Sequence, residues 1–335
     1  MLNLAQFILN TLVDFISNIL KQKYSVFAII IIVIMYFIYK TFYQNFTNKG
    51  RDSKSKICMK KQDNIIWNVN PKPVSFENNK FKNKTLKEFH IATSHNTYIP
   101  CTQNADIADV LAIKRALLLG ARAIELDVFS DKTTLKPIVA HGVERGAERA
   151  DILTTTSIPF QHCLDIIKKY AFQKTTDPIF IILELNTNKM IKVNNEIAKM
   201  LKNTFKDQLY KQNKKVSLGD IKLKDTLNKV IVLSGGGSNG DLNKIIYSTW
   251  HDQKMKNIPY TDQDLKEDEI IKFNETGMTR VYPAGTIEGH FSLNYDFEVA
   301  FEKGCQFIAM NYQTIDDNMK KYLTNFKNSS FLLKK

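Results

Sequence analysis

Cysteine is scarce in this chain, and acidic side chains are outnumbered by basic ones. The four cysteines, Cys58, Cys101, Cys163 and Cys305, show neither a metal-binding spacing nor a disulfide pattern. The chain also lacks the GxxxxGK[ST] pattern, so the glycine-rich residues 235–240 are interpreted as a flexible loop. These absences argue against a cysteine-based metal site, a disulfide-stabilised scaffold and a P-loop.

What is present in excess is positive charge, with 47 Lys and Arg against 34 Asp and Glu and a formal net charge of +13. Such a balance predicts an anionic partner, either nucleic acid or an acidic membrane surface, and charge alone does not choose between them. Hydrophobic residues make up 44% of 335 residues, enough for one large domain or two small ones.

The N-terminus favours the membrane over nucleic acid. Residues 24–43 form an apolar stretch of the roughly 20 residues that span a bilayer, which predicts one transmembrane helix. Residues 1–23 have apolar side chains at helical spacing and predict an amphipathic helix, with a second span interrupted by Asp14 as the alternative. More basic residues follow the span than precede it. The positive-inside rule therefore predicts a single-pass membrane protein whose large C-terminal part faces the cytoplasm.

Six polar residues lie at the ends of apolar runs further along the chain. They are His95, Asn96, Glu125, Asp127, His141 and Glu184. Glu125 and Asp127 share one face of a predicted strand, because side chains alternate with period two. An ionised Glu184 at the end of a buried strand is costly unless it is paired or metal-bound. Together these side chains predict a hard-cation site with acid–base groups beside it.

Residues 44–84 are polar and basic and predict a tether. From residue 85 onward, short strand-like runs alternate with helical stretches, which predicts an α/β fold, an irregular (β/α)₈ TIM-type barrel. The predicted strands are 88–93, 122–128, 137–141, 179–184, 230–234, 279–282 and 306–311. The predicted helices include 106–119, 160–171, 190–206, 241–249 and 296–303. The six polar residues lie near strand C-termini, where barrel enzymes carry their sites.

Over roughly residues 85–315 the chain resembles the eukaryotic-type, calcium-dependent phosphoinositide-specific phospholipase C catalytic domain. The X half of that family is matched at 94–98 (SHNTY), 123–127 (AIELD), 137–142 (PIVAHG) and 181–184 (IILE). The Y half is matched at 279–285 (TRVYPAG), 294–295 (NY) and 304–314 (GCQFIAMNYQT). The resemblance implies an X-like half at 85–205, a short linker at 206–218, a Y-like half at 219–320 and a tail at 321–335.

The resemblance implies a calcium-dependent phospholipase C with anionic phosphoinositide lipids as its partners, and the predicted span at residues 24–43 would anchor it in the membrane. Such an enzyme hydrolyses phosphatidylinositol or its phosphates to diacylglycerol and inositol phosphate through a cyclic phosphodiester. The implied Ca²⁺ ligands are Asn96, Glu125, Asp127 and Glu184. The implied acid–base groups are Glu125 (or Glu184) as base and His141 as acid, and His95 is implied to donate to the phosphoryl oxygen in the transition state. The implied contacts to the inositol phosphate and its ring are Arg280 and Tyr282. No oligomeric state is predicted.

The chain departs from the family at the lysine pair that binds ring phosphates. The matching positions are Leu233 and Gly235, so a preference for the 4,5-bisphosphate is not implied. Lys222, Lys224 and Lys244 are candidate substitutes that the sequence does not place.

Two other functions remain open at this point. A non-catalytic phosphoinositide-binding or scaffold protein with the same barrel is the main alternative. A glycerophosphodiester phosphodiesterase also has an E-x-D pair, but that family opens with a His-Arg-Gly motif that differs from residues 94–97. Metal-independent bacterial lipases of this superfamily place a basic residue where calcium sits. The set of four oxygen ligands therefore favours calcium.

Overall fold

The computed structural model describes residues 83–101, 107–144, 150–152, 154, 156–187, 189–211, 213, 215–260, 268–284 and 293–334, with isolated positions at 11, 13, 33–36, 56, 59, 60 and 81. The chain divides into two units, Met1–Lys54 and Ser55–Lys335, and every element named below belongs to the second.

Short strands and amphipathic helices alternate through this unit. The strands are β1 (Phe89–Ser94), β2 (Ala123–Ser130), β3 (Pro137–Val139), β4 (Gly142–Glu144), β5 (Ala150–Ile152), β6 (Ile158–Pro159), β7 (Ile179–Asn186), β8 (Val230–Ser234), β9 (Ile246–Thr249), β10 (Met255–Tyr260), β11 (Met278–Pro283), β12 (Phe307–Met310) and β13 (Phe331–Leu333). The helices are α1 (Val110–Leu118), α2 (Phe160–Tyr170), α3 (Ile191–Phe205), α4 (Asp268–Thr276), α5 (Phe297–Glu302) and α6 (Asp317–Asn325).

Eight strands form one curved parallel sheet. They are hydrogen-bonded in the order β10-β11-β12-β1-β2-β7-β8-β9, and each neighbouring pair is parallel. The two end strands, β9 and β10, follow one another in the chain, so the sheet is nearly closed. The predicted TIM-type barrel is confirmed, with an open seam between β9 and β10.

On each strand, side chains of one face pack against the helices and side chains of the other face point into the barrel. The face on which a polar residue lies therefore decides whether it points into the barrel. On β2, Ile124 and Leu126 belong to the large cluster shared with the helices, so Glu125 and Asp127 face the barrel interior. The interior cluster contains the rings of Phe180 and Phe307, which meet edge to face at 5.2 Å. The polar residues therefore lie above a filled apolar interior at the C-terminal ends of the strands.

The predicted transmembrane helix at residues 24–43 is wrong. Within the part of the chain that the structure describes, no helix has the length and apolar character to cross a membrane. A span needs about 20 consecutive apolar helical residues. The predicted single-pass membrane location and cytoplasmic orientation lose their support with it. The amphipathic helix at 1–23 and the tether at 44–84 lie mostly outside the described residues.

Two smaller expectations are also corrected. Cys101 is disulfide-bonded, although the cysteine spacing predicted no disulfide, because separation along the chain does not report distance in the fold. Cys163 and Cys305 are buried free thiols. The predicted helix 241–249 is a short 3₁₀ turn, Gly240–Lys244, followed by β9.

The buried His90 on β1 predicts acid sensitivity of the fold. Its ring stacks on Phe301 at 4.2 Å, and Nδ1 lies 2.6 Å from the Cys305 carbonyl oxygen. Burial lowers the pKa of His90 to about 4, which the bond to Cys305 only partly opposes. The folded state favours the neutral ring. The contribution of the neutral His90 ring to the unfolding free energy is therefore fully present above the unfolded pKa of about 6.5. As pH falls toward 4, that contribution is lost, and the unfolding free energy decreases by about 3 kcal/mol.

We expect His90→Asn to flatten the decline in unfolding free energy between pH 6.5 and 4, measured by urea denaturation. The exposed His162 of α2 supplies the control, and His162→Asn should leave the decline as it is in the wild type. An unchanged decline in the His90 variant would contradict this account.

Candidate active site

Glu125 and Arg280 form the buried centre of the site. Their exposed fractions are 2% and 1%. The Arg280 Nη2–H donates to Glu125 Oε1 in a short contact, and Nη1–H donates to Asn257 Oδ1 of β10 at 2.9 Å. Burial works to raise the pKa of Glu125. Arg280, His95 and the Asn96 backbone N–H outweigh burial, so the pKa is lowered and the group is a carboxylate at neutral pH.

His95 is held between an amide and a carboxylate. Its Nδ1 lies 3.0 Å from Asn311 Oδ1, which also accepts from Gln313 Nε2 at 3.2 Å. Because the Asn311 oxygen is an acceptor, the ring proton is assigned to Nδ1. The other ring nitrogen, Nε2, lies 3.7 Å from Glu125 Oε2. Burial lowers the pKa of His95, and the Glu125 charge opposes that shift. Nε2 is thus the nitrogen that can exchange a proton with a substrate.

A tight turn after β1 brings Asn96 against β2. Asn96 has a positive φ of 44°, which Asn tolerates better than most residues. Its N–H donates to Glu125 Oε2 at 3.0 Å, and Thr97 Oγ1 accepts from the Glu125 N–H at 3.0 Å. The Tyr98 hydroxyl donates to Asn96 Oδ1 at 3.2 Å. The motif thus fixes an amide oxygen beside the carboxylates.

Asp127 and His141 form a second acid–imidazole pair. His141 Nδ1 lies 3.6 Å from Asp127 Oδ2 and 3.4 Å from the Tyr98 hydroxyl. Burial and the neighbouring Glu125 charge raise the pKa of Asp127, although the bond to His141 opposes them. Asp127 Oδ1 is buried and has no hydrogen-bond partner among the described residues. Among the described residues, this oxygen lacks the hydrogen-bond donor that a buried carboxylate oxygen requires.

Glu184 lies opposite Asp127 in the β2–β7 register and is about one-third exposed. Its Oε1 is 4.0 Å from Arg280 Nη1, and its carboxylate lies against Gly235 just beyond β8. Tyr282 is two residues beyond Arg280 on the same face of β11. The guanidinium lies 4.9 Å from the Tyr282 ring centroid. The C-terminal end of the barrel, called the mouth below, therefore has a partly exposed carboxylate on one side and a flat aromatic face on the other.

The predicted calcium ligands come together only in part. Their oxygens are the hard donors that Ca²⁺ prefers, and the unsatisfied Asp127 Oδ1 fits such an ion. Arg280, however, engages Glu125 and approaches Glu184. In the described part of the chain, no group of three or more His, Cys, Asp or Glu side chains is arranged to hold a metal ion. The oxygen donors of these four residues are chemically suited to a cation. Arg280 already compensates part of the negative charge of the carboxylates.

Sequence reasoning missed Asn257, Asn311 as a partner of His95, and Trp250. The Trp250 ring lies 5.9 Å from the Arg280 guanidinium. Asn311 directly follows the apolar run of β12, which is the signal that revealed Glu184. Asn257 lies in β10, whose mixed polar sequence gave no strand signal.

The three lysines that were candidate substitutes for the family's lysine pair do not lie on elements that end at the mouth. Lys222 and Lys224 precede β8 and so lie toward the N-terminal end of the barrel. Lys244 is exposed and pairs with Asp241 at 2.7 Å.

Parallel strands with acid, imidazole and guanidinium groups at their C-terminal ends define a barrel of the enzyme type. Two family models match the chain. The phosphatidylinositol-specific phospholipase C X domain covers residues 82–235, and the Y domain of the same name covers residues 240–335. The chain belongs to the phosphatidylinositol-specific phospholipase C family and carries both halves of its phosphodiesterase barrel.

The chain spans about half or less of the curated relatives that it matches. It is 23% identical over 304 residues to phosphoinositide phospholipase C 1 of Arabidopsis thaliana, which covers 73% of this chain and 51% of that protein. It is 33% identical over 128 residues to 1-phosphatidylinositol 4,5-bisphosphate phosphodiesterase 1 of Saccharomyces cerevisiae, covering 38% and 13%. It is 23% identical over 285 residues to inactive phospholipase C-like protein 1 of Homo sapiens, covering 68% and 25%. The crystal structure of S. officinalis PLC21 has the same fold, with a TM-score of 0.64, 21% identity and coverage of 76% and 37%.

The Glu125–Arg280 pair predicts strong coupling between two substitutions. Arg280→Gln should lower the unfolding free energy by about 3–5 kcal/mol, because it leaves Glu125 buried without compensation. Adding Glu125→Gln should restore part of that loss. Urea denaturation of both single variants and the double variant measures the coupling.

The exposed Lys244–Asp241 pair is the matched control, and Lys244→Gln should cause no measurable change. Additive losses at Glu125 and Arg280 would show that the two side chains do not interact as described.

Proposed function

We propose that this chain is a calcium-dependent phospholipase C that hydrolyses phosphatidylinositol or its phosphates to diacylglycerol and inositol phosphate. The observation that carries the proposal is the joint placement of Glu125, Asp127, His95 and His141 at one end of a barrel of this family. Two relatives, from Arabidopsis thaliana and Saccharomyces cerevisiae, are named for hydrolysis of such lipids.

In the first step a carboxylate removes the proton of the inositol 2-hydroxyl, and its oxygen attacks phosphorus. Glu125 is the favoured base because it is ionised at neutral pH; Glu184 is the second choice. His141 donates a proton to the departing glycerol oxygen, which leaves as diacylglycerol. His95, once it is protonated on Nε2 as well as on Nδ1, donates from Nε2 to the phosphoryl oxygen. The product is a cyclic inositol phosphodiester.

In the second step His141 accepts a proton from water, whose oxygen attacks phosphorus. The bond from phosphorus to the inositol 2-oxygen breaks, and the carboxylic acid formed in the first step returns its proton to that oxygen, which gives inositol phosphate. Arg280 and Tyr282 contact the headgroup. A guanidinium matches phosphate oxygens in geometry, and the phenol ring offers a flat apolar face to the sugar. The stacking of His95 on Tyr282 at 6.1 Å brings the acid–base and headgroup residues together.

Asn96, Glu125, Asp127 and Glu184 would hold the calcium ion. Bound there, Ca²⁺ lowers the pKa of the 2-hydroxyl and neutralises charge on the phosphoryl group. The unsatisfied Asp127 Oδ1 supports this assignment.

The similarity to inactive phospholipase C-like protein 1 favours one alternative, a non-catalytic phosphoinositide-binding protein. The double variant His95→Ala with His141→Ala separates the two functions. An enzyme loses turnover and keeps lipid binding in this variant. A scaffold shows no turnover in the wild type.

Turnover by the full chain should depend on His141. We expect calcium-stimulated release of water-soluble inositol phosphate from phosphatidylinositol vesicles. His141→Ala should slow release by about 10²–10⁴-fold, the usual contribution of a general acid–base. His162→Ala, an exposed change on α2, should release at the wild-type rate. No release by folded wild-type protein at saturating calcium would reject the enzyme.

Calcium should also stabilise the fold, since a ligand that binds only the folded state raises Tm. We expect Ca²⁺ to raise the wild-type Tm and to have a smaller effect on Asp127→Asn. Magnesium at the same concentration and Asp165→Asn, an exposed change on α2, are the controls. Equal calcium effects on the wild type and Asp127→Asn would remove Asp127 from the ligand set.

A further inference from the structure

We propose that Thr154 is a positioning residue for His141, whose two flanking peptide groups it holds through its hydroxyl and its backbone N–H. The inference rests on the proposed phospholipase C function, because it concerns how the acid–base imidazole of that reaction is kept in place. Thr154 lies at the base of the hairpin that β4 and β5 form directly after His141.

The side-chain contacts of the His141 ring are too long to fix it. Nδ1 lies 3.6 Å from Asp127 Oδ2 and 3.4 Å from the Tyr98 hydroxyl, whereas ordinary hydrogen bonds between nitrogen and oxygen span about 2.7–3.2 Å. No strand fixes the backbone at this point, since β3 ends at Val139 and β4 begins at Gly142. The place of the imidazole therefore depends on what holds the His141 peptide groups.

Thr154 holds both of those peptide groups. Its Oγ1 accepts a hydrogen bond from the His141 N–H at 3.2 Å, and its own N–H donates to the His141 carbonyl oxygen at 3.2 Å. Thr154 is buried, so water does not readily replace either bond. The second bond joins backbone atoms and does not depend on the side chain, whereas the first needs a hydroxyl. The identity of residue 154 thus acts on His141 through one atom.

The chain just beyond the hairpin is tied to the segment that carries Tyr98. Thr156 Oγ1 accepts from the Ala108 N–H at 2.9 Å and donates to the Ala108 carbonyl oxygen at 3.2 Å. The next N–H, that of Asp109, donates to the Tyr98 carbonyl oxygen at 2.9 Å. The hydroxyl of Tyr98 in turn approaches His141 Nδ1. Hydrogen bonds and short stretches of chain therefore form a closed circuit that passes through His141 and the hairpin base.

This circuit sets the direction of Nε2. Because Nδ1 faces Asp127 and Tyr98, Nε2 is the ring nitrogen left to exchange protons with the glycerol oxygen and with water. Displacing a reacting group by about 1 Å costs on the order of 10²-fold in rate. The Thr154 hydroxyl acts on the His141 backbone rather than on the substrate. Its loss should therefore reduce kcat and leave KM nearly unchanged.

Three variants of the full chain test this role on phosphatidylinositol vesicles at saturating calcium. Thr154→Val removes the hydroxyl and keeps the β-branched shape, and we expect it to lower kcat about tenfold and to change KM less than about twofold. Thr154→Ser keeps the hydroxyl and should have a kcat within about twofold of the wild type. Thr133→Val, an exposed change in the turn between β2 and β3, should match the wild type. An unchanged kcat in Thr154→Val, or an equal loss in Thr154→Ser, would overturn the proposal.

Amide hydrogen exchange, followed by NMR, separates failure of this proposal from failure of the enzyme, because it needs no turnover. The His141 N–H should be protected in the wild type and in Thr154→Ser, and should exchange at least about tenfold faster in Thr154→Val. The Ala140 N–H, which donates to the Asp127 carbonyl oxygen at 3.2 Å, is the control and should keep its protection in all three proteins.

A His141 N–H that is unprotected in the wild type would overturn the proposal even if Thr154→Val does not fold. Equal exchange of this N–H in the wild type and Thr154→Val would overturn it as well. If the folded wild type cleaves no lipid at saturating calcium, the proposed function falls, while exchange at His141 still judges the hydrogen bond.

Discussion

The site depends on keeping a charged pair, Glu125 with Arg280, inside an apolar barrel. Phenylalanine rings fill the interior below the pair, so water cannot compensate a lone charge there. The guanidinium and the Asn96 N–H make ionised Glu125 tolerable. In turn, Glu125 and Asn257 fix the guanidinium over the Tyr282 ring. The turn after β1, the register of β2 and the position of β11 all have to agree for this pair to form.

The same constraint makes the mouth asymmetric. The side formed by β1, β2 and β11 carries His95 and Arg280, which can donate to phosphate oxygens. The side formed by β7 and β8 carries Glu184 against Gly235, an acidic and glycine-lined wall. One barrel end thus combines a half that carries hydrogen-bond donors with a half that carries a carboxylate.

The barrel strands that the sequence predicted are those with continuous apolar runs. The predicted strand 230–234 has the bounds of β8, and strand 179–184 lacks only the last two residues of β7. Strand β10 was missed because it borders the open seam, where its burial is incomplete, and the largely buried strand β9 was missed because residues 241–249 were predicted as one helix. Strand β10 also contains Pro259, which edge strands tolerate. Period-two alternation placed Glu125 and Asp127 on one face correctly. Partnership with Arg280 could not be predicted, since β2 and β11 are distant in sequence and their pairing is decided only when the sheet closes.

The proposed reaction cleaves the bond between phosphorus and the glycerol oxygen by attack of the inositol 2-hydroxyl. Phosphorus-31 NMR of the water-soluble products from phosphatidylinositol vesicles, with chromatography of the extracted lipids, tests it directly. We expect diacylglycerol in the lipid extract and an early inositol 1,2-cyclic phosphate signal that later converts to the acyclic monophosphate. Phosphatidic acid with free inositol, or an acyclic monophosphate with no cyclic precursor at any time, would contradict it.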